Sequence, residues 1–243
     1  MSTMRSIAEA VLDDIVSEGV ALDIFRAEQA RLLLEDLDQF VEVINQTGVG
    51  KRFFANLQLI LRDDLILSLS RLYETHSSRN PGRSLPAAAH HIATHASELR
   101  LLDRRSLIEF LTNRFASRQD IEQLSDEQLS VALTRHLDTH MPRADSSSSR
   151  PLDQAFQHLK TVRDKAIAHH DRVSHSSLLI PGWGQLVDLI NSAREIVELV
   201  AHAYLGGSYD LASDASQAAR SLRRLLNRVG LGQNLNLEGG ADG

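Results

Sequence analysis

The stretch KRFFANLQLILRDDLILSLSRLYE, residues 51–74, decides the fold class. Its apolar residues, from Leu57 through Leu61, Leu65 and Leu69 to Leu72, crowd the run so densely that a helix built on it is apolar on most sides. Such a helix belongs at the centre of a bundle rather than on its surface. Arg62, Asp63 and Asp64 interrupt the run, so it is not read as a membrane span.

Working outward from it, the upstream chain carries a helix over 4–17 and a second over 21–45. In the second, Phe25, Leu33, Leu37, Phe40 and Ile44 recur every three or four residues. A turn at 47–50 joins it to the central stretch. Downstream, Pro81 and Gly82 mark a loop over 76–86, and helices are expected over 85–99, 104–117 and 126–140. Ser125 and Gln128 have the spacing of a capping box. Residues 143–150, with their run of serines, read as a mobile low-complexity linker. Pro151 suits the first position of a helix that continues to 169. After a break at 176–184, two more helices are expected over 183–205 and 210–229. The glycine-rich tail, 230–243, is expected to be disordered.

Composition agrees. Of 243 residues, 42% are hydrophobic and 5 are proline, and strand-like alternation is nearly absent. The expected architecture is an all-α bundle in a single domain, 1–229. The absence of cysteine excludes disulfides, thiolate metal sites and cysteine nucleophiles, and points to the cytoplasm. A net charge of −6 argues against a protein that coats DNA generically, though not against a local basic cleft.

The densest cluster of ionisable residues ends the Pro151 helix: Arg163, Asp164, Lys165, His169, His170, Asp171 and Arg172. Arg163 follows Phe156 and Leu159 along the apolar stripe, where a guanidinium needs a carboxylate, a phosphate or a partner subunit. A structural ion pair is one reading. The other is chemical: an imidazole near neutral pH can take a 2′-hydroxyl proton, and a guanidinium can stabilise charge on the attacked phosphate.

Arg163-x5-His169 resembles the Arg-x(4–6)-His signature of HEPN domains. The run Arg-Asp-Lys-Ala-Ile-Ala-His-His-Asp, residues 163–171, is similar to that of the abortive-infection "U-two-like" HEPN branch. The acidic, leucine-rich segment from Asp64 through Ser68 and Arg71 to Glu74, followed by a loop and Ser84-Leu85, resembles that branch upstream. The resemblance implies an HEPN bundle with its core over about 21–205 and added helices over about 76–150. It also implies metal-independent endoribonuclease activity as a toxin or antiphage effector, with RNA as substrate and no cofactor or metal. Arg163 would stabilise the phosphate and His169 would act as acid–base, with Asp164, Lys165, His170 and Asp171 in support. Asp64, Ser68 and Arg71 share a face of the central helix, where they either line the site and position its arginine or form a local polar stripe with an Asp64–Arg71 bridge. A homodimer with the 163–171 helix ends at its interface is implied, as is an antitoxin partner. A non-catalytic HEPN dimer that binds a nucleotide or protein is the alternative. Asp171 stands where one HEPN subclass has a modifiable tyrosine, which puts that form of control in doubt.

Two histidines compete for the catalytic role. On an ideal helix His169 lies about 120° from Arg163 and His170 only about 20°, so the motif favours one and the geometry the other. Elsewhere, His91/His95 and His136/His140 are spaced i, i+4, but surface or half-buried histidine is the plainer reading of each than a metal site. Arg220, Arg223, Arg224 and Arg228 on the last helix fit either a solvated face or an RNA-tracking surface. Trp183 reads as a packing anchor more readily than as a base-stacking platform.

Overall fold

A computed structural model of the chain describes residues 5–48, 50–79, 82–113, 118–145, 147–168, 181–228 and 231. The fold is all-α. Among the described residues ten α-helices occur: α1 Ile7–Ile15, α2 Ala21–Thr47, α3 Lys51–Leu72, α4 Leu85–Thr94, α5 Arg104–Thr112, α6 Arg118–Glu122, α7 Asp126–His140, α8 Pro151–Val162, α9 Trp183–Val200 and α10 Leu211–Arg228. Among the described residues, π-helical segments extend or join them at Val16–Val20 between α1 and α2, Arg163–Ala168 after α8, and Ala201–Leu205 after α9. No described helix is long and apolar enough to cross a membrane.

The chain divides into two compact units. The first comprises Met1–Ile24 and Leu69–Tyr209, the second Phe25–Ser68 and Asp210–Gly243.

In the first unit α4 packs against α1, α7 and α9, and α8 packs against α9. Ala87, Ala88, Ala89 and Ile92 of α4 are all buried, because small side chains let several helices approach it closely. Buried hydroxyls tie elements together. Tyr73, just after α3, donates to the carbonyl of Leu189 on α9 at 2.6 Å, and Tyr204 donates to Ser130 Oγ on α7 at 2.7 Å. Both expected and found is the capping box of α7: Gln128 N–H donates to Ser125 Oγ at 3.2 Å, and Ser125 N–H to Gln128 Oε1 at 2.8 Å.

The segment expected to be a mobile linker is instead tied to α8. The Arg143 N–H donates to Oδ1 of buried Asp153 at 2.9 Å, and Ser148 Oγ donates to its Oδ2 at 2.5 Å. The Arg150 guanidinium caps the end of α7 through the carbonyls of Thr139 (2.8 Å) and His140 (2.7 Å). A buried carboxylate that must be satisfied recruits the Arg143 amide and the Ser148 hydroxyl as its donors.

In the second unit α2 and α3 form an antiparallel hairpin. Gly48 and Gly50 turn it at φ +70° and +64°, which L-residues with a Cβ adopt reluctantly. On α3, Leu61, Leu65 and Ile66 are buried while Phe53 and Ile60 are 63% and 65% exposed. The helix expected at the centre of the bundle, apolar on most sides, is therefore buried along only part of its surface. In α10, Ala215, Ala219 and Leu226 face inward. Arg223 Nη2 donates to Oδ1 of buried Asp36 on α2.

Candidate functional site

The site is built on the last turn of α8. Ala155, Phe156, Leu159 and Val162 make the buried stripe that docks this helix. Immediately beyond it the backbone widens from α to π, over Arg163–Ala168. The Arg163 N–H still bonds back to the Leu159 and Lys160 carbonyls, so the arginine is anchored where the change begins. Insertions of this type recur at functional sites because they redirect side chains without ending a helix.

Arg163 is half-buried, its side chain 21% exposed. Its Nε donates to Asp164 Oδ1 at 2.8 Å, and its Nη1 lies 3.7 Å from Glu74 Oε1. Glu74 reaches it from the segment following α3. The Tyr73 ring packs edge-on against Phe156, centroids 5.6 Å apart. Glu74, one residue on, thus lies beside Arg163, seven residues and two turns further along the same face of α8. The backbone of Glu74 is fixed as well: its N–H donates to the Arg71 carbonyl at 3.3 Å, and its carbonyl accepts from Ser84 Oγ at 2.8 Å. The two stretches quoted above for their resemblance, ending at Glu74 and beginning at Arg163, therefore meet in space. Glu74 carries no sequence signal of this role, since 89 positions separate it from Arg163 and the Tyr73–Phe156 contact that brings them together is made in the folded chain.

The other expected residues fall as follows. Asp164 lies within the π-helical turn, and Lys165 is exposed. Arg71 binds Asp23 rather than standing open to a ligand, with Nη2 to Oδ1 at 2.7 Å. Asp64 is half-buried on α3, in the second unit. His169, His170, Asp171 and Arg172 lie outside the described residues. The 100°-per-residue count that favoured His170 assumes an α-helix, and residues 163–168 do not follow one.

A further histidine stands close by in sequence. His76, two residues after Glu74, stacks on His90 with centroids 4.3 Å apart, and its Nδ1 is buried without a hydrogen-bond partner among the described residues. Of the i, i+4 histidine pairs, His136 stacks on His140 with centroids 4.0 Å apart, and the His91 and His95 rings lie tilted with centroids 4.6 Å apart. His91 Nε2 donates to the Ala8 carbonyl at 2.9 Å, and burial pushes its pKa down. Among the described residues no group of three or more His, Cys, Asp or Glu side chains is placed to hold a metal. Trp183 opens α9 with 41% of its surface exposed.

Chemically, the arrangement offers a guanidinium hydrogen-bonded to Asp164 with the Glu74 carboxylate 3.7 Å away, at the rim of the packed stripe and six residues before the first histidine of the motif. A planar donor fork of this kind is matched to carboxylate or phosphate oxygens. A family model described as HEPN AbiU2 matches residues 12–225. No curated protein and no solved structure matches the chain.

Proposed function

The chain belongs to the AbiU2 abortive-infection branch of the HEPN domains, and from that premise we propose that it is a metal-independent endoribonuclease acting as a toxin or antiphage effector. His169 removes the proton of a ribose 2′-hydroxyl. The oxygen attacks the adjacent phosphorus while Arg163 stabilises the negative charge gathering on the phosphate oxygens. The P–O5′ bond breaks, the 5′-oxygen leaves as a hydroxyl on taking the proton back from the imidazolium, and a 2′,3′-cyclic phosphate remains. RNA selectivity follows, because DNA lacks the attacking hydroxyl. Asp164 and Glu74 hold the guanidinium in position, and Lys165 adds positive charge near it.

The observation that carries this reading is the placement of Arg163. It sits at the α-to-π transition with its guanidinium steered by Asp164 and Glu74. One chain offers a single arginine at the motif, and a two-fold axis would double both reactive groups in one cleft. The proposed assembly is accordingly a homodimer with the 163–171 segments at or beside its interface. The test is incubation of RNA with purified protein in excess chelator. Cleavage is expected in the wild type and is expected to be lost in Arg163→Ala and His169→Ala. Intact RNA in every pool tried would overturn the reading.

One observation favours a second reading, a non-catalytic HEPN dimer that binds a nucleotide or a protein. Arg163 already has carboxylate neighbours, so a phosphate must displace or share them. In that case nucleotides bind and no RNA is cut.

A further inference from the structure

We propose that the outer face of α10 is a binding site for the sugar–phosphate backbone of single-stranded nucleic acid, formed by Arg220, Arg224 and Arg228. As a route by which RNA is gathered it rests on the function proposed above; as a binding site it stands on the second unit alone.

The arginines of α10 divide into two kinds. Arg223 has a structural task, since it satisfies Asp36, a carboxylate 2% exposed on α2. Arg220, Arg224 and Arg228 are exposed, and none has an acidic side chain within ion-pairing distance among the described residues. They follow one another at i, i+4 and i+8, which sets successive Cα atoms about 6 Å apart along the helix in a single shallow strip. Of the acidic groups of α2 in the same unit, Glu28 and Glu35 are held by Arg31 at 2.7 Å and 2.6 Å and Asp36 by Arg223, while Asp38 and Glu42 are exposed to solvent.

A solvated helix face explains this strip poorly. Like charges at i, i+4 destabilise an isolated helix by a few tenths of a kcal/mol per pair. The helix dipole favours a cation only within the last turn, which accounts for Arg228 and not for Arg220, two turns earlier. An anionic partner that runs along the helix relieves both repulsions at once. Guanidinium forks suit phosphate oxygens, and a row of them suits a repeating phosphodiester more than a single anion.

Anionic membrane is the rival polyanion, and the helix is badly built for it. An interfacial helix inserts an apolar face. Here Ala215, Ala219 and Leu226 are already buried in the protein, and Leu225 is the exposed large apolar side chain that α10 retains among its described residues.

Contacts confined to phosphates carry no information about base or sugar. The strip is therefore expected to hold DNA and RNA alike, and selectivity for RNA falls to the chemistry at Arg163 and His169. That separation gives the test its probe: labelled oligothymidylate DNA, which lacks the 2′-hydroxyl and cannot be cleaved by the proposed route. Binding is followed by fluorescence anisotropy from 50 to 200 mM salt. For single strands each phosphate contact contributes about 0.7 to the slope of log K against log[salt], so R220Q/R224Q/R228Q is expected to lower it by about 2. The triple lysine variant is expected to keep the slope. Should the glutamine triple fail to fold by circular dichroism, Arg224→Gln alone is expected to lower it by about 0.7.

Absence of wild-type binding at 50 mM salt overturns the inference. So does an unchanged slope in the glutamine variants, or tighter binding to phosphatidylserine vesicles than to the oligonucleotide. RNA cleavage in chelator is read on the same samples. A nuclease whose slope does not change refutes the strip alone, whereas a changed slope without cleavage refutes the nuclease alone.

Discussion

The guanidinium of Arg71 grips the buried carboxylate of Asp23. Nε donates to Oδ1 at 3.0 Å and to Oδ2 at 3.1 Å, and Nη2 donates to Oδ1 at 2.7 Å. This grip joins the end of α3 to the start of α2 within the first unit, three residues before Glu74. Arg71→Ala leaves a carboxylate with little access to water and no fork to bind it. Arg71 is itself partly exposed, which moderates the loss, and a destabilisation of about 2 kcal/mol is expected. Urea denaturation measures it. A cycle with Asp23→Asn should show that the two losses are not additive.

Gly19 gives an expectation whose sign opposes helix propensity. Replacing a helical glycine by alanine ordinarily stabilises by about 1 kcal/mol. At Gly19, inside the Val16–Val20 π-turn, an added Cβ would collide with the Arg83 side chain and lie 2.9 Å from the Arg83 carbonyl oxygen. Gly19→Ala is therefore expected to destabilise by about 1–3 kcal/mol. Gly184, where an added Cβ meets nothing within 4 Å, is the control. Gly184→Ala should be neutral or mildly stabilising by thermal denaturation.

Alkaline stability is set in part by buried tyrosine. Burial pushes the Tyr204 hydroxyl from 10.0 up to about 12, against the opposing hydrogen bond to Ser130. Tyr73 is also raised, chiefly by burial. A folded-state pKa above the unfolded value means the unfolded chain loses its proton first. The contribution is thus fully present below pH 10 and is lost as pH rises to about 12. For Tyr204 the loss is about 2–3 kcal/mol. Denaturant titrations from pH 9 upward should show it. Tyr204→Phe should flatten part of the slope, leave the part due to Tyr73, and cost about 1 kcal/mol at neutral pH.

Much of the fold was legible because helix ends carry chemical marks. Ser125 with Gln128, Pro151, and the glycines at 48 and 50 placed the start of α7, the start of α8 and the α2–α3 turn. The π-segments were not legible. The expected helices over 4–17 and 21–45 leave a gap at 18–20, yet the chain passes through it by widening a turn, and widening leaves no compositional trace. α6, five residues long, is too short to show a period. The apolar density of α3 did not reveal that Phe53 and Ile60 are exposed, since density alone does not say which faces find neighbours. At the site, Arg163 was legible as a charge beside an apolar stripe. Glu74 was not, because its approach depends on Tyr73 packing against Phe156 across a long sequence separation.

The central claim is that Arg163 and His169 cut RNA through its own 2′-hydroxyl without a metal. The most direct measurement is the end-group chemistry of the RNA fragments, read by mass spectrometry after reaction in excess chelator. Expected are 2′,3′-cyclic phosphate on the upstream fragment and 5′-hydroxyl on the downstream one, with neither formed by Arg163→Ala. Fragments bearing 3′-hydroxyl and 5′-phosphate, or equal cleavage by the Arg163→Ala protein, would contradict it.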